Sequence, residues 1–176
     1  MNNVPPGTSM QNELGCGERV QRTLYGLSAI DRVVERYLMP YWREGVIFAF
    51  SGEIGAGKTT MLKVLLRQAG VVEEVVSPTY AYFCRYQSAD ALNVYHFDLY
   101  RVDSIETFCE MEFDLILKDT RNVVVLEWPG VINSVLTERG FADRVVWVNL
   151  RYGPSASTER VFEVHSLAKT DIATLV

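Results

Sequence analysis

Val46-Ile47-Phe48-Ala49-Phe50-Ser51-Gly52-Glu53-Ile54-Gly55-Ala56-Gly57-Lys58-Thr59-Thr60-Met61-Leu62 is the stretch whose reading decides the fold. It opens with an unbroken apolar run over 46–50, as a strand buried on both faces does. Glycines at 52, 55 and 57 follow at once, in a stretch that fits the pattern G-x-x-x-x-G-K-[ST] over 52–59. Met61, Leu62, Leu65, Leu66 and Ala69 then fall on one face of a helix, with Gly70 placed to stop it. Strand, glycine-rich turn and helix are the context such a loop requires.

The loop answers a physical problem, that of solvating a polyphosphate without water. Glycines let the backbone curl so that successive N–H groups face one anion. The helix that follows presents its positive end to the same point. From the motif, Lys58 is expected to reach the β- and γ-phosphates, the Thr59 hydroxyl to bind Mg²⁺, and Thr60 to support the α-phosphate end.

Outward from this core, 33–38 has helical spacing with Asp31 or Ser28 as candidate cap, and Pro40 is expected to end that helix. Val75-Val76 is a short strand candidate. Residues 80–86 and 92–97 read as a hairpin, 105–117 as a helix, and 145–150 and 161–164 as late strands. Val123-Val124-Val125-Leu126 is a second buried-strand signal, ending at Glu127. Strands alternating with helices predict an α/β P-loop sandwich with a largely parallel central sheet and some antiparallel strands. Residues 1–27, rich in Gly, Asn, Pro and Ser, are expected to form a flexible arm, and 28–176 one domain.

Composition narrows the partners. The chain has 176 residues and a formal net charge of -5, with a pI near 5.1. Gripping nucleic acid directly takes Lys and Arg in excess on one face, so contact with nucleic acid is expected to be indirect. Cys16, Cys84 and Cys109 are odd in number and widely spaced, and His96 and His165 lie far apart, which argues against a disulfide framework or structural zinc. A secretory signal and an apolar span of membrane length are not legible, so the expected location is the cytoplasm.

A phosphate-binding loop that hydrolyses its ligand also needs carboxylates. Asp98 and Glu127 each end a strand-like run, where an acid projects towards the loop. Strand alternation puts His96 on the face of Asp98, where it either orients that acid or fills the core. Arg101 fits a phosphate contact or a surface ion pair. Trp128 fits core, stacking platform or partner contact.

Four blocks in order, Gly-Glu-Ile-Gly-Ala-Gly-Lys-Thr-Thr (52–60), Ser77-Pro78-Thr79-Tyr80, His96-Phe97-Asp98-Leu99-Tyr100-Arg101 and Glu127-Trp128-Pro129, resemble the bacterial TsaE (YjeE) family. The resemblance covers about 46–130. It implies an ATPase subunit of the machinery that makes threonylcarbamoyladenosine on transfer RNA, slow alone and acting with a TsaD–TsaB heterodimer; the acidic charge adds the expectation that tRNA is met through those partners. The resemblance implies that Gly55, Ala56, Gly57, Lys58, Thr59 and Thr60 hold the ATP phosphates, that Thr59 and Glu127 hold Mg²⁺, and that Asp98 serves hydrolysis beside Lys58 and Glu127. Residues 77–79 would form a switch-like loop. The chain departs from the family where Thr23, Ser28 and Asp31 compete for a base-contacting threonine, where Glu112 replaces a glycine, and where Arg151 and Arg160 compete for a C-terminal arginine.

Three rival readings remain. A small-molecule kinase calls for an Arg-bearing lid, and no Arg-rich loop stands out; Arg139 and Arg144 flank a short segment and read as surface charges. A GTP switch calls for a guanine-reading loop, whose nearest match, Ala168-Lys169-Thr170-Asp171, lacks the asparagine. A binding subunit with a vestigial site sits poorly with intact Lys58, Thr59, Asp98 and Glu127.

Overall fold

The computed structural model describes residues 20–78, 81–138, 140–155 and 158–166. In chain order the elements are β1 (Gln21–Gly26), α1 (Ile30–Tyr37), β2 (Ile47–Gly52), α2 (Lys58–Gln68), β3 (Phe83–Gln87), β4 (Asn93–Asp98), α3 (Ile105–Glu110), α4 (Phe113–Lys118), β5 (Asn122–Glu127), α5 (Asn133–Leu136), β6 (Val145–Tyr152) and β7 (Glu159–Ser166). The strands form one sheet in the order β1-β7-β6-β2-β5-β4-β3. Its centre, β6-β2-β5-β4, is parallel. The antiparallel pairs lie at its edges.

The apolar run of β2 is explained by its two faces. Phe48 and Phe50 pack with Val34, Leu62 and Leu65 under α1 and α2. Ile47 and Ala49 pack with Phe97, Phe108 and Phe113 under α3 and α4 on the other face. Burial on both faces removes the alternation a half-exposed strand would show. No helix among the described residues is long and apolar enough to cross a membrane.

Four local expectations give way to tertiary context. Residues 21–26, inside the segment expected to be an arm, form edge strand β1 on β7. Of these six only Tyr25 is buried, so the segment shows almost no apolar pattern. Residues 1–19 lie outside the described residues. Neither Asp31 nor Ser28 caps α1; the cap is Ala29, without a side-chain bond. Val75-Val76 forms no strand, because β3 already takes the free edge of β4.

The helix read over 105–117 is two helices broken at Glu112, whose φ is 58°. The break is a packing solution. Phe108 and Phe113 both pack on Phe97, at 6.4 and 5.1 Å, whereas on an unbroken helix residues five apart point about 140° away from each other. A left-handed conformation costs a non-glycine residue about 1–2 kcal/mol. The Glu112 side chain is exposed. Glu112→Gly is therefore expected to raise the melting temperature by about 2–4 °C, from roughly 1 kcal/mol gained. An unchanged or lower melting point by circular dichroism would contradict strain at this position.

Candidate active site

The site is built where the segments after β2, β4 and β5 meet the connection from α2 to β3. β2 delivers Gly52 into the loop 53–57, and α2 begins at Lys58. Gly52 has φ 133°, and a Cβ there would stand 2.0 Å from the Leu150 carbonyl oxygen of β6. Gly57, at φ 101°, caps α2 in the left-handed region. At its other end α2 closes with Gly70 N–H donating to Arg67 O and Val71 N–H to Leu66 O, both at 3.0 Å. That puts Gly70 one residue past the cap, Ala69.

Asp98 and Glu127 end β4 and β5 directly opposite each other in register. Strand alternation turns both towards the α2 face, since Val94, Val123 and Val125 also pack there. A cleft of about 410 Å³ opens between the loop and these strand ends, lined among others by Lys58, Thr59, Ser77, Asp98, Glu127 and Trp128. Lys58, Asp98 and Glu127 are all buried.

The bonds in the cleft are specific. Thr59 Oγ1 donates to Glu127 Oε2 at 2.7 Å. His96 Nε2 lies 3.0 Å from Glu127 Oε1. Ser77 Oγ donates to Asp98 Oδ2 at 3.4 Å, and the Tyr100 N–H donates to Asp98 Oδ1 at 3.1 Å. Lys58 Nζ donates to the Gly52 and Glu53 carbonyls, both at 2.9 Å, and stands 3.6 Å from the Trp128 ring centroid. Burial pushes the Lys58 ammonium below the usual lysine range, while the Glu127 and Asp98 carboxylates pull it back up. An ammonium and two carboxylates enclosed together favour an anionic ligand that brings its own cation.

Trp128 owes its position to backbone conformation. Its φ is 59°, and its N–H donates to Phe50 O at 3.1 Å. The left-handed residue lays the indole over Lys58, with the Tyr100 ring 5.1 Å away. Of the readings open for Trp128, the geometry favours the platform beside the loop.

The structure thus gathers Gly55, Gly57, Lys58, Thr59, Thr60, Asp98 and Glu127 around one cleft. Ala56 belongs to the same loop but is fully buried. Arg101 is exposed and does not line the cleft. His96 meets Glu127 and not Asp98, because it sits opposite Val125 and has Glu127 as its diagonal neighbour. Thr79 and Tyr80 lie outside the described residues, as does the 168–171 stretch.

Two contacts hold the loop from outside: Arg160, one of the two arginines the sequence left in competition, and Tyr152, which sequence reasoning missed. Arg160 Nε donates to Ala56 O at 3.2 Å, with its guanidinium 4.6 Å from the Tyr152 ring. Tyr152 Oη donates to Ile54 O at 2.9 Å. Both come from the β6–β7 hairpin. The competing Arg151 instead pairs with Glu163 at 3.1 Å.

Mg²⁺ fits the donor set. Thr59 and Glu127 offer hard oxygens 2.7 Å apart at the mouth of α2, and Mg²⁺ takes one or two protein oxygens with phosphate and water completing its shell. No cluster of three or more His, Cys, Asp or Glu fit to hold a metal occurs among the described residues, so such an ion would depend on the nucleotide for its remaining ligands.

A family model described as "Threonylcarbamoyl adenosine biosynthesis protein TsaE" matches residues 27–159. The tRNA threonylcarbamoyladenosine biosynthesis protein TsaE of Borreliella burgdorferi is 38% identical over 92 residues, 52% of this chain and 66% of that protein. The protein of the same name from Rickettsia typhi is 32% identical and matched over 62% of its length. That from Haemophilus influenzae is 30% identical over 145 residues, 81% of this chain and 85% of its own. The chain thus spans somewhat under two thirds of the first two relatives. The crystal structure of Bacillus subtilis YdiB superposes with a TM-score of 0.59 at 17% identity, covering 86% of each chain. That likeness shows a shared fold.

Proposed function

The chain belongs to the TsaE family, and from that premise we propose that it is a Mg²⁺-dependent ATPase subunit for threonylcarbamoyladenosine modification of tRNA, working in the cytoplasm on a TsaD–TsaB heterodimer. The observation that carries the catalytic part is the convergence of Lys58, Thr59, Asp98 and Glu127 on one cleft at a helix N-terminus.

In this reading Lys58 leaves the Gly52 and Glu53 carbonyls and follows the β- and γ-phosphates. The loop amides and the N-terminal end of α2 hold the remaining phosphate oxygens. Thr59 and Glu127 hold Mg²⁺, which supplies neutralisation of the charge that develops on the phosphates. Asp98, held by the Tyr100 amide, orients and deprotonates the attacking water. Phosphoryl transfer asks for positioning and charge stabilisation above all. With net charge -5, tRNA is met through the partners.

The test is Mg²⁺-dependent ATP hydrolysis by the purified chain, with and without the TsaD–TsaB pair and with GTP as competitor. Hydrolysis that rises with the partners and ignores GTP is the expected result. Robust turnover unaffected by partners, or a preference for GTP, would overturn the assignment. Replacing Glu127 with alanine is expected to weaken Mg²⁺-dependent ATP binding by roughly 10–100-fold; an unchanged metal requirement would remove Glu127 from the metal site.

A further inference from the structure

His96 is fully buried and does not line the cleft. Its Nε2 faces Glu127 Oε1 at 3.0 Å, while Glu127 Oε2 accepts from Thr59 at 2.7 Å. The carboxylate is therefore gripped at both oxygens, from β4 on one side and from α2 on the other. The other ring nitrogen, Nδ1, is buried without a hydrogen-bond partner. A buried imidazole with one nitrogen on a carboxylate and the other without a hydrogen-bond partner is arranged to donate once, from Nε2–H. A core-filling side chain would not leave a buried polar atom unmatched, since an apolar residue of that volume avoids the penalty altogether.

We propose that His96 is a positioning residue for the metal site: its Nε2–H fixes the Glu127 carboxylate so that Oε2 stands ready beside Thr59 before nucleotide arrives. The proposal rests on the reading of Thr59 and Glu127 as metal donors given above. A carboxylate free to rotate has to be ordered when the ion binds, and that entropy weakens the complex. Partners that orient a ligating carboxylate are typically worth 10–100-fold in metal affinity. The same hydrogen bond leaves contacts of the loop with phosphate untouched, so the effect is confined to the metal-dependent part of binding.

The experiment measures ATP affinity by calorimetry across a Mg²⁺ titration and in EDTA, for the unaltered chain, His96→Leu, His96→Gln and Glu127→Ala. His96→Leu keeps much of the volume and removes the donor; its half-saturating Mg²⁺ is expected to rise at least about 10-fold with ATP affinity in EDTA unchanged. His96→Gln carries an amide N–H within reach of Oε1 and is expected to restore the requirement to within about 3-fold, against the 10–100-fold loss. A His96→Leu protein with the ordinary Mg²⁺ requirement, or a His96→Gln protein as impaired as His96→Leu, overturns the role of His96. If Mg²⁺ fails to tighten ATP in the unaltered chain, or Glu127→Ala leaves that tightening intact, the metal reading falls and this role with it. Ring ¹⁵N NMR of the unaltered chain tests the same claim without a substitution. A proton on Nε2 is expected, and a ring whose Nε2 carries none overturns the proposal.

Discussion

Asp98→Asn is expected to lower the rate of ATP hydrolysis by about 10²–10⁴-fold, the range removed with a general base, while ATP binds as well as before or slightly better. The reason lies in what each oxygen does. Oδ1 accepts the Tyr100 N–H at 3.1 Å and Oδ2 accepts from Ser77 at 3.4 Å. Asparagine keeps an acceptor for Tyr100 and so keeps the turn after β4. It cannot take a proton from water. It also removes one of the two negative charges that share the cleft with the phosphates, which favours binding of an anion. Single-turnover hydrolysis and a separate binding isotherm distinguish the two steps. Turnover within about threefold of the unaltered chain, where 10²-fold or more is expected, would take Asp98 out of the chemistry. Loss of binding in step with turnover would make it a binding group.

Gly52→Ala is expected to be the most damaging change in the fold. The added Cβ stands 2.0 Å from the Leu150 carbonyl oxygen, 3.0 Å from its carbon and 3.2 Å from its nitrogen. These are backbone atoms of β6, the strand paired with β2 through Gly52 itself. No side chain can swing away to make room. The φ of 133° adds strain of its own. Parting β2 from β6 breaks the ladder that carries the loop, and a loss of about 4 kcal/mol or more follows, beyond most single substitutions. For a domain of this size that is roughly 10–15 °C in melting temperature. Gly57→Ala is the control. Nothing lies within 4 Å of its Cβ, so only the left-handed conformation costs, about 1–2 kcal/mol. A Gly52→Ala protein that melts no lower than Gly57→Ala would show that β6 yields readily.

Much of this site was legible in the sequence because its chemistry is carried by short contiguous blocks. The run 46–50 followed by the glycine loop announces strand, turn and helix. The acids at 98 and 127 end apolar runs, and the parallel register that sets them opposite follows from where those runs stop. The remainder depends on contacts between distant segments. Arg160 and Tyr152 reach the loop from a hairpin with no motif of its own. His96 reads as a partner of Asp98 when only its own strand is considered, and finds Glu127 once the next strand lies alongside. The break at Glu112 is invisible to helical spacing, because it arises from Phe108 and Phe113 both seeking Phe97. Nothing in the order of residues foretells a left-handed Trp128, which decides that the indole covers Lys58.

The place of β2 in the sheet bears on how the chain comes together. β2 is flanked by β5 and β6, and both are later in the sequence. As the chain is synthesised, the apolar run 47–50 emerges with neither neighbour yet made, and long-range parallel pairing of this kind is slow. For that interval the run is an unpaired, sticky edge of the sort chaperones shield. The cleft cannot exist until β5 brings Glu127 and β6 closes against Gly52. On the proposed reading, nucleotide would be held only by the finished sheet, and retention of ATP by a nascent or refolding chain would mark the docking of its central parallel strands.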